Sequence, residues 1–330
     1  MLFRSLYMGN GAMAFCTALE EINLPSIKII EKNAFQYCYE LTKIIVGNSL
    51  ERIGEAAFEN CKKLKSIRLP DDTMRIENSA FESSGIRDIV LPSMISNVEK
   101  RTFACTPLES VVFTNCHVAI AEEAFFECER LGNIDWNRIY SIGEFSFRGC
   151  SFTSIHLKHI SQIPRSAFAN NNNLEIVEFF QANIQLGDEA FWGDFQLQNI
   201  SSRCITSIGT RALAYTDVRN LCFDNLSRIG EEAFIGCKNL KNVFIKCTAD
   251  NLVIERKIFA ECAALQQVWI FSDSYVDVEL DAFPNIGYSV YVLSDSELSK
   301  WAKNNSITNV VSVTREVMER KWREWHRSSL

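Results

Sequence analysis

Apolar residues recur along this chain at the same offsets about every 22 residues. Residues 53–69 read IGEAAFENCKKLKSIRL and residues 229–245 read IGEEAFIGCKNLKNVFI, with the apolar letters in register and the charged letters free to vary. Taking the bulky residue of each Ala-Phe pair as a marker gives Met13, Phe35, Phe58, Phe81, Phe103, Phe125, Phe147, Phe168, Phe191, Leu213, Phe234, Phe259 and Phe283, spaced 21–25 residues apart. A fixed period of this size is the signature of stacked supersecondary units, none of which can bury its apolar face alone. Within each coil the slots run I-G-x-x-A-F-x-x-C-x-x-L-x-x-I-x-L. The closing I-x-L alternates as a half-buried strand does. Each coil is therefore predicted to contribute one short strand, parallel to those of the coils before and after it.

The spacing and the L-x-x-I-x-L strand resemble leucine-rich repeats, whose units run about 20–29 residues. The phrase Ala34-Phe35-x-x-Cys38-x-x-Leu41, repeated as Ala124-Phe125-x-x-Cys128-x-x-Leu131, is similar to the BspA-like class of these repeats. The expected fold is an α/β solenoid, a leucine-rich-repeat array of about thirteen coils with a parallel sheet on one face and a short C-terminal helical cap. The expected divisions are an N-terminal edge segment at 1–11, the solenoid at 12–290 and the cap at 291–330. The resemblance implies a bacterial or protist surface-type or secreted protein that binds a host or matrix protein, or a glycan. It carries no catalytic residues over to this chain.

Composition narrows the partners. The 34 basic against 41 acidic side chains leave a net charge of −7, which argues against nucleic acid. No apolar run approaches the ~18 residues of a membrane-spanning helix. The opening MLFRSLYMG is too short and interrupted to read as a signal peptide, so the compartment stays open.

Seven of the twelve cysteines (16, 38, 61, 128, 150, 237 and 262) share one slot, which other coils fill with Ser84, Thr106, Asn171, Asp194 or Thr216. What the slot asks for is a small side chain able to hydrogen-bond the turn, which a free thiol satisfies. No zinc-type Cys or His spacing appears, so neither a metal nor a cofactor is expected. The adjacent carboxylates Glu231 and Glu232, like Glu122 and Glu123, sit before Ala-Phe where other coils place Arg165 or Thr210. They read as a solvated surface. His117, His156, His159 and His326 lie in no nucleophile or metal motif, and the chain is not expected to be an enzyme.

Function is sought where the repeat does not dictate the residue. Strand positions flanking the central Ile slot point away from the core and form two columns. One ends in Asn220, Asn242 and Gln267; the other ends in Cys222, Phe244 and Trp269. Aromatic anchors bordered by amides are the composition of a binding hot spot, so these six residues are the candidate partner site. Ile45, Val90 and Val112, interrupted by Arg68, form a second candidate. The longest coils, with inserts at 246–251 and after Trp269, fall beside the first. Past residue 290, a helix capped through Ser294-x-x-Glu297 and a second through 314–327 are expected to close the open terminal coil. The second carries Met318, Trp322 and Trp325 on one face, a candidate for joining copies into a homo-oligomer. The alternative function is accordingly a self-assembling scaffold built through that helix and the exposed edges.

Overall fold

A computed structural model describes residues 5–283 and 287–328. The coils marked by Met13 through Phe259 share one turn backbone. The residues two before and two after the marker adopt left-handed φ, as at Ala56 and Asn60 around Phe58 or Glu232 and Gly236 around Phe234. Backbone bonds then run from coil to coil, for example Phe35 N to Ala57 O at 2.8 Å and Phe58 N to Ala80 O at 2.8 Å. The buried marker rings stack as a column, Phe35 on Phe58 at 5.3 Å and Phe58 on Phe81 at 5.3 Å, within 8° of parallel. Offset stacks of this kind add to the burial of large apolar area.

The chain forms two compact units, the first mainly residues 1–153 and the second mainly 173–330. In the first, the sheet face carries β1 (Glu21–Leu24), β2 (Lys43–Val46), β3 (Asp88–Leu91) and β4 (Ser110–Phe113). β1 pairs with β2 and β3 with β4, all parallel. A single bridge, Ser66 to Asp88, ties the intervening coil to β3. In the second unit the same face carries β5 (Ser154–Leu157), β6 (Ile176–Phe179), β7 (Asn199–Ile200), β8 (Asn220–Phe223), β9 (Asn242–Cys247), β10 (Gln267–Ser272) and β11 (Ser289–Leu293). The ladder from β8 runs on past residue 290 into β12 (Val310–Val313), parallel to β11.

One strand per coil is too few. The Ile preceding the turn makes a second short strand, such as Arg52–Ile53 with Arg75–Ile76, or Arg228–Ile229 with Asn251–Ile254. That Ile is buried in each case, so one inward side chain suffices to register the flank. The glycine after it permits close approach: a Cβ on Gly230 would lie 2.6 Å from the backbone carbon of Gly209 in the coil below.

The Cys slot behaves as the internal substitutions imply. Cys61 Sγ donates to Phe35 O at 3.1 Å and Cys237 Sγ to Leu213 O at 3.1 Å, each reaching the marker residue one coil back. Thr106 and Asn171 supply the donor elsewhere, to Phe103 O at 2.7 Å and Phe147 O at 2.9 Å. All twelve thiols are free. The paired carboxylates form ladders between coils, Glu231 to Arg256 at 2.7 Å and Glu232 to Arg211 at 2.6 Å. At the amino end Leu6 is exposed, and residues 1–4 of the expected edge segment lie outside the described residues.

Two helices follow β11: α1 (Glu297–Asn304) and α2 (Arg315–Ser328). The cap of α1 is Ser296, whose Oγ accepts from Ser299 N at 3.2 Å. Ser294, the expected cap, instead donates to Val313 O at 2.9 Å and so fastens β12. The register moves because β11 extends to Leu293 and leaves Ser294 at the end of the ladder.

Candidate functional site

Cys222, Phe244 and Trp269 stand side by side, Cys222 opposite Phe244 and Phe244 opposite Trp269. Their column continues with Tyr291, which stacks on Trp269 at 4.1 Å and 9°. Their expected exposure is corrected by the structure: Phe244 is 0% exposed, Cys222 5% and Trp269 6%. The cover is α2, which lies across the sheet face of β8 to β11 rather than over the open terminal coil. Met318 is fully buried against Cys222, Phe244, Trp269 and Leu293, with Trp322 and Trp325 packed alongside. The helix face expected to join two copies is thus occupied within its own chain.

An amphipathic helix with three large apolar side chains gains more by covering an apolar column than by leaving both in water. The inserts serve the same contact. They lengthen β9 and β10 to six residues, which places Lys246 Nζ 4.4 Å from the Trp322 ring centre and Arg315 5.6 Å from that of Phe271. Arg315 also pairs with Asp273, Nη1 to Oδ2 at 3.1 Å. At the other end of α2, Arg203 Nη2 donates to His326 O at 3.2 Å. Burial, and next the Asp224 carboxylate, push the Cys222 thiol up to about 11.

The amide column stays at the margin. Asn242 Nδ2 donates to Asn220 Oδ1 at 2.9 Å, and Gln267 Oε1 accepts from Trp269 Nε1 at 3.1 Å. Asn220, Asn242, Glu178, Arg203 and Trp325 line a groove of about 850 Å³ along the edge of α2.

The first unit presents the same outward positions, and among the described residues no helix of that unit covers them. Ile45 is 43% exposed, Val90 54% and Val112 48%. Lys43, Arg68 and Asp88 are exposed beside them. Between β2 and β3 the sheet face is reduced to the isolated Ser66–Asp88 bridge, and a groove of about 840 Å³ lies there, lined by Val46, Arg68, Asp72, Val90 and Val112.

The histidines are placed by packing and pairing. His156 Nδ1 lies 2.8 Å from Glu178 Oε2. His117 and His159 stack on Tyr140 at 4.2 and 4.0 Å. Cys116 Sγ and His117 Nδ1 are 3.1 Å apart, sequence neighbours on an exposed turn. Among the described residues, no helix is long and apolar enough to cross a membrane.

Coils that each repeat one strand, turn and flank, stacked in parallel, define a leucine-rich-repeat solenoid. The chain belongs to the family of BspA type leucine rich repeat regions, whose model matches residues 5–106, 97–217 and 162–289. Among solved structures it is similar to a leucine-rich repeat protein from Bacteroides ovatus (21% identity, 83% of this chain and 87% of that one, TM-score 0.51). It is similar also to a leucine rich cell surface protein from Faecalibacterium prausnitzii (20%, 81% and 83%, TM-score 0.52). The pneumococcal vaccine antigen PcpA is a third (18%, 93% and 83%, TM-score 0.56). At these identities the likeness is one of fold. No curated protein shows a significant match to the sequence.

Proposed function

We propose that this protein is a non-catalytic binding protein of the cell surface or secreted space that recognises a polypeptide through the open sheet face of its first unit. The observation that carries the reading is the exposure of Ile45, Val90 and Val112 at positions the repeat does not need to be apolar. Clustered exposed apolar side chains rimmed by Lys43, Arg68 and Asp88 have the composition of an interaction surface. The equivalent positions of the second unit supply a precedent for what such a face receives, since Cys222, Phe244 and Trp269 take an amphipathic helix of the same chain. Those three residues, and Met318, Trp322 and Trp325, are therefore assigned to intramolecular docking. Membership of a family built as a binding scaffold supports the non-catalytic reading. The cell-surface description of the Faecalibacterium protein supports the compartment.

The test is binding of the purified chain to a panel of extracellular-matrix proteins and host glycans, beside a Val90→Glu/Val112→Glu variant. Both positions are about half exposed, so the variant should melt within a few degrees of the parent. A protein ligand that the parent binds and the variant releases at least tenfold more weakly fits the reading. Equal binding by the variant, or binding of glycans alone, contradicts it.

A further inference from the structure

Cys222, Asp224 and His326 come together where the last turn of α2 meets the end of β8. One potential ligand atom from each lies within 4.8 Å of the other two. His326 Nδ1 and Asp224 Oδ1 are 3.9 Å apart, too far for a hydrogen bond. Each of these two atoms is buried and has no hydrogen-bond partner. A buried carboxylate oxygen and imidazole nitrogen left unpaired are costly, and a shared cation removes both costs together. His326 also packs against Trp322, the rings tilted by 39° with centres 4.3 Å apart, so its ring is held in place before any ion arrives.

We propose that Cys222, Asp224 and His326 form a three-ligand site for a zinc-class divalent cation that fastens the carboxyl end of α2 to the sheet face. Sulfur, imidazole nitrogen and carboxylate oxygen are the donor set of zinc. Donors bound at about 2.0–2.3 Å to one tetrahedral ion lie roughly 3.3–3.8 Å apart, so the three atoms need only contract from separations of at most 4.8 Å. The thiol proton leaves to solvent, and a cation bound by one thiolate, one carboxylate and a neutral imidazole is electrically balanced. Water fills the fourth position, reached past the remaining surfaces of the His326 and Asp224 side chains, which are 34% and 36% exposed although the two ligand atoms themselves are buried. The site is invisible to sequence spacing because its third ligand follows the second by about a hundred residues, through a helix folded back on the sheet.

The experiment uses the full reduced chain freed of metal with a chelator. Zinc(II) binding is measured by calorimetry, and cobalt(II) by its thiolate charge-transfer absorption. The parent and a Cys116→Ser variant, which removes the exposed Cys116–His117 pair, should each bind one equivalent with the same affinity. Cys222→Ser, Asp224→Asn and His326→Gln should each weaken binding at least tenfold while keeping the parent's circular dichroism. Zinc should also slow amide exchange across 315–328 in the parent and leave it unchanged in His326→Gln. The proposal is overturned if the parent binds no zinc, if Cys116→Ser abolishes binding, or if His326→Gln binds and protects like the parent.

Discussion

Replacing Met318 by Ala removes the side chain that plugs α2 into the sheet. Met318 is 0% exposed and touches Cys222, Phe244, Trp269 and Leu293. Truncations of this kind in a closed core cost about 2–5 kcal/mol. The low end is appropriate, because Trp322 and Trp325 are only partly buried and can settle into the gap. About 2 kcal/mol at 1.4 kcal/mol per decade is a roughly 30-fold shift toward the undocked helix. An isolated helix of fourteen residues is marginal in water, so undocking and unwinding coincide, and amide exchange reads the docking equilibrium. Exchange of residues 315–328 by mass spectrometry should accelerate about 30-fold in Met318→Ala, while the coils around Phe58 and Phe81 exchange as in the parent. Equal rates in parent and variant would refute the docking, as would acceleration that is the same across the whole chain.

Two further outcomes follow from the coils themselves. Burial pushes the Cys128 thiol up to about 12 and the Cys38 thiol up to about 11; a folded value above the unfolded one means stability is intact below about pH 8.5 and lost as pH rises toward those values. The urea midpoint should fall steeply between about pH 9 and pH 10, the fully buried Cys128 contributing on the order of 1 kcal/mol per pH unit, and Cys128→Thr, which keeps a donor in the slot, should lessen that fall; a midpoint flat to pH 10 contradicts the burial. Gly230→Ala sets a methyl 2.6 Å from the Gly209 backbone and should cost about 1–3 kcal/mol by overpacking, measured as a lower urea midpoint, whereas an unchanged midpoint would mean that the coils separate freely.

The solenoid was legible because its period is local. Each coil states its own turn, marker ring and strand, and Met13, Leu213, Thr106 and Asn171 show by substitution which property a slot requires. The second strand at the flank was missed since a single inward Ile, as at Ile53 or Ile229, carries no alternation to read. β12 was missed for a related reason: Val310–Val313 shows no alternation of buried and exposed positions, and α1 replaces the Ala-Phe turn before it and hides the period. The column of Cys222, Phe244 and Trp269 was placed in register by counting, yet its burial was not, because what covers it is a helix about fifty to a hundred residues further along the chain. The apolar stripe of Met318, Trp322 and Trp325 signalled that the helix had a partner without saying which surface that was. Both halves of the contact were written in the sequence, and only the fold brings them together.

The most direct measurement is the exchange footprint of a bound protein ligand on this chain. The account predicts slowed exchange at residues 43–46, 88–91 and 110–113, with 242–247, 267–272 and 315–328 unaltered by the ligand. Protection confined to α2 and the strands beneath it would contradict the assignment of the open face as the site of recognition.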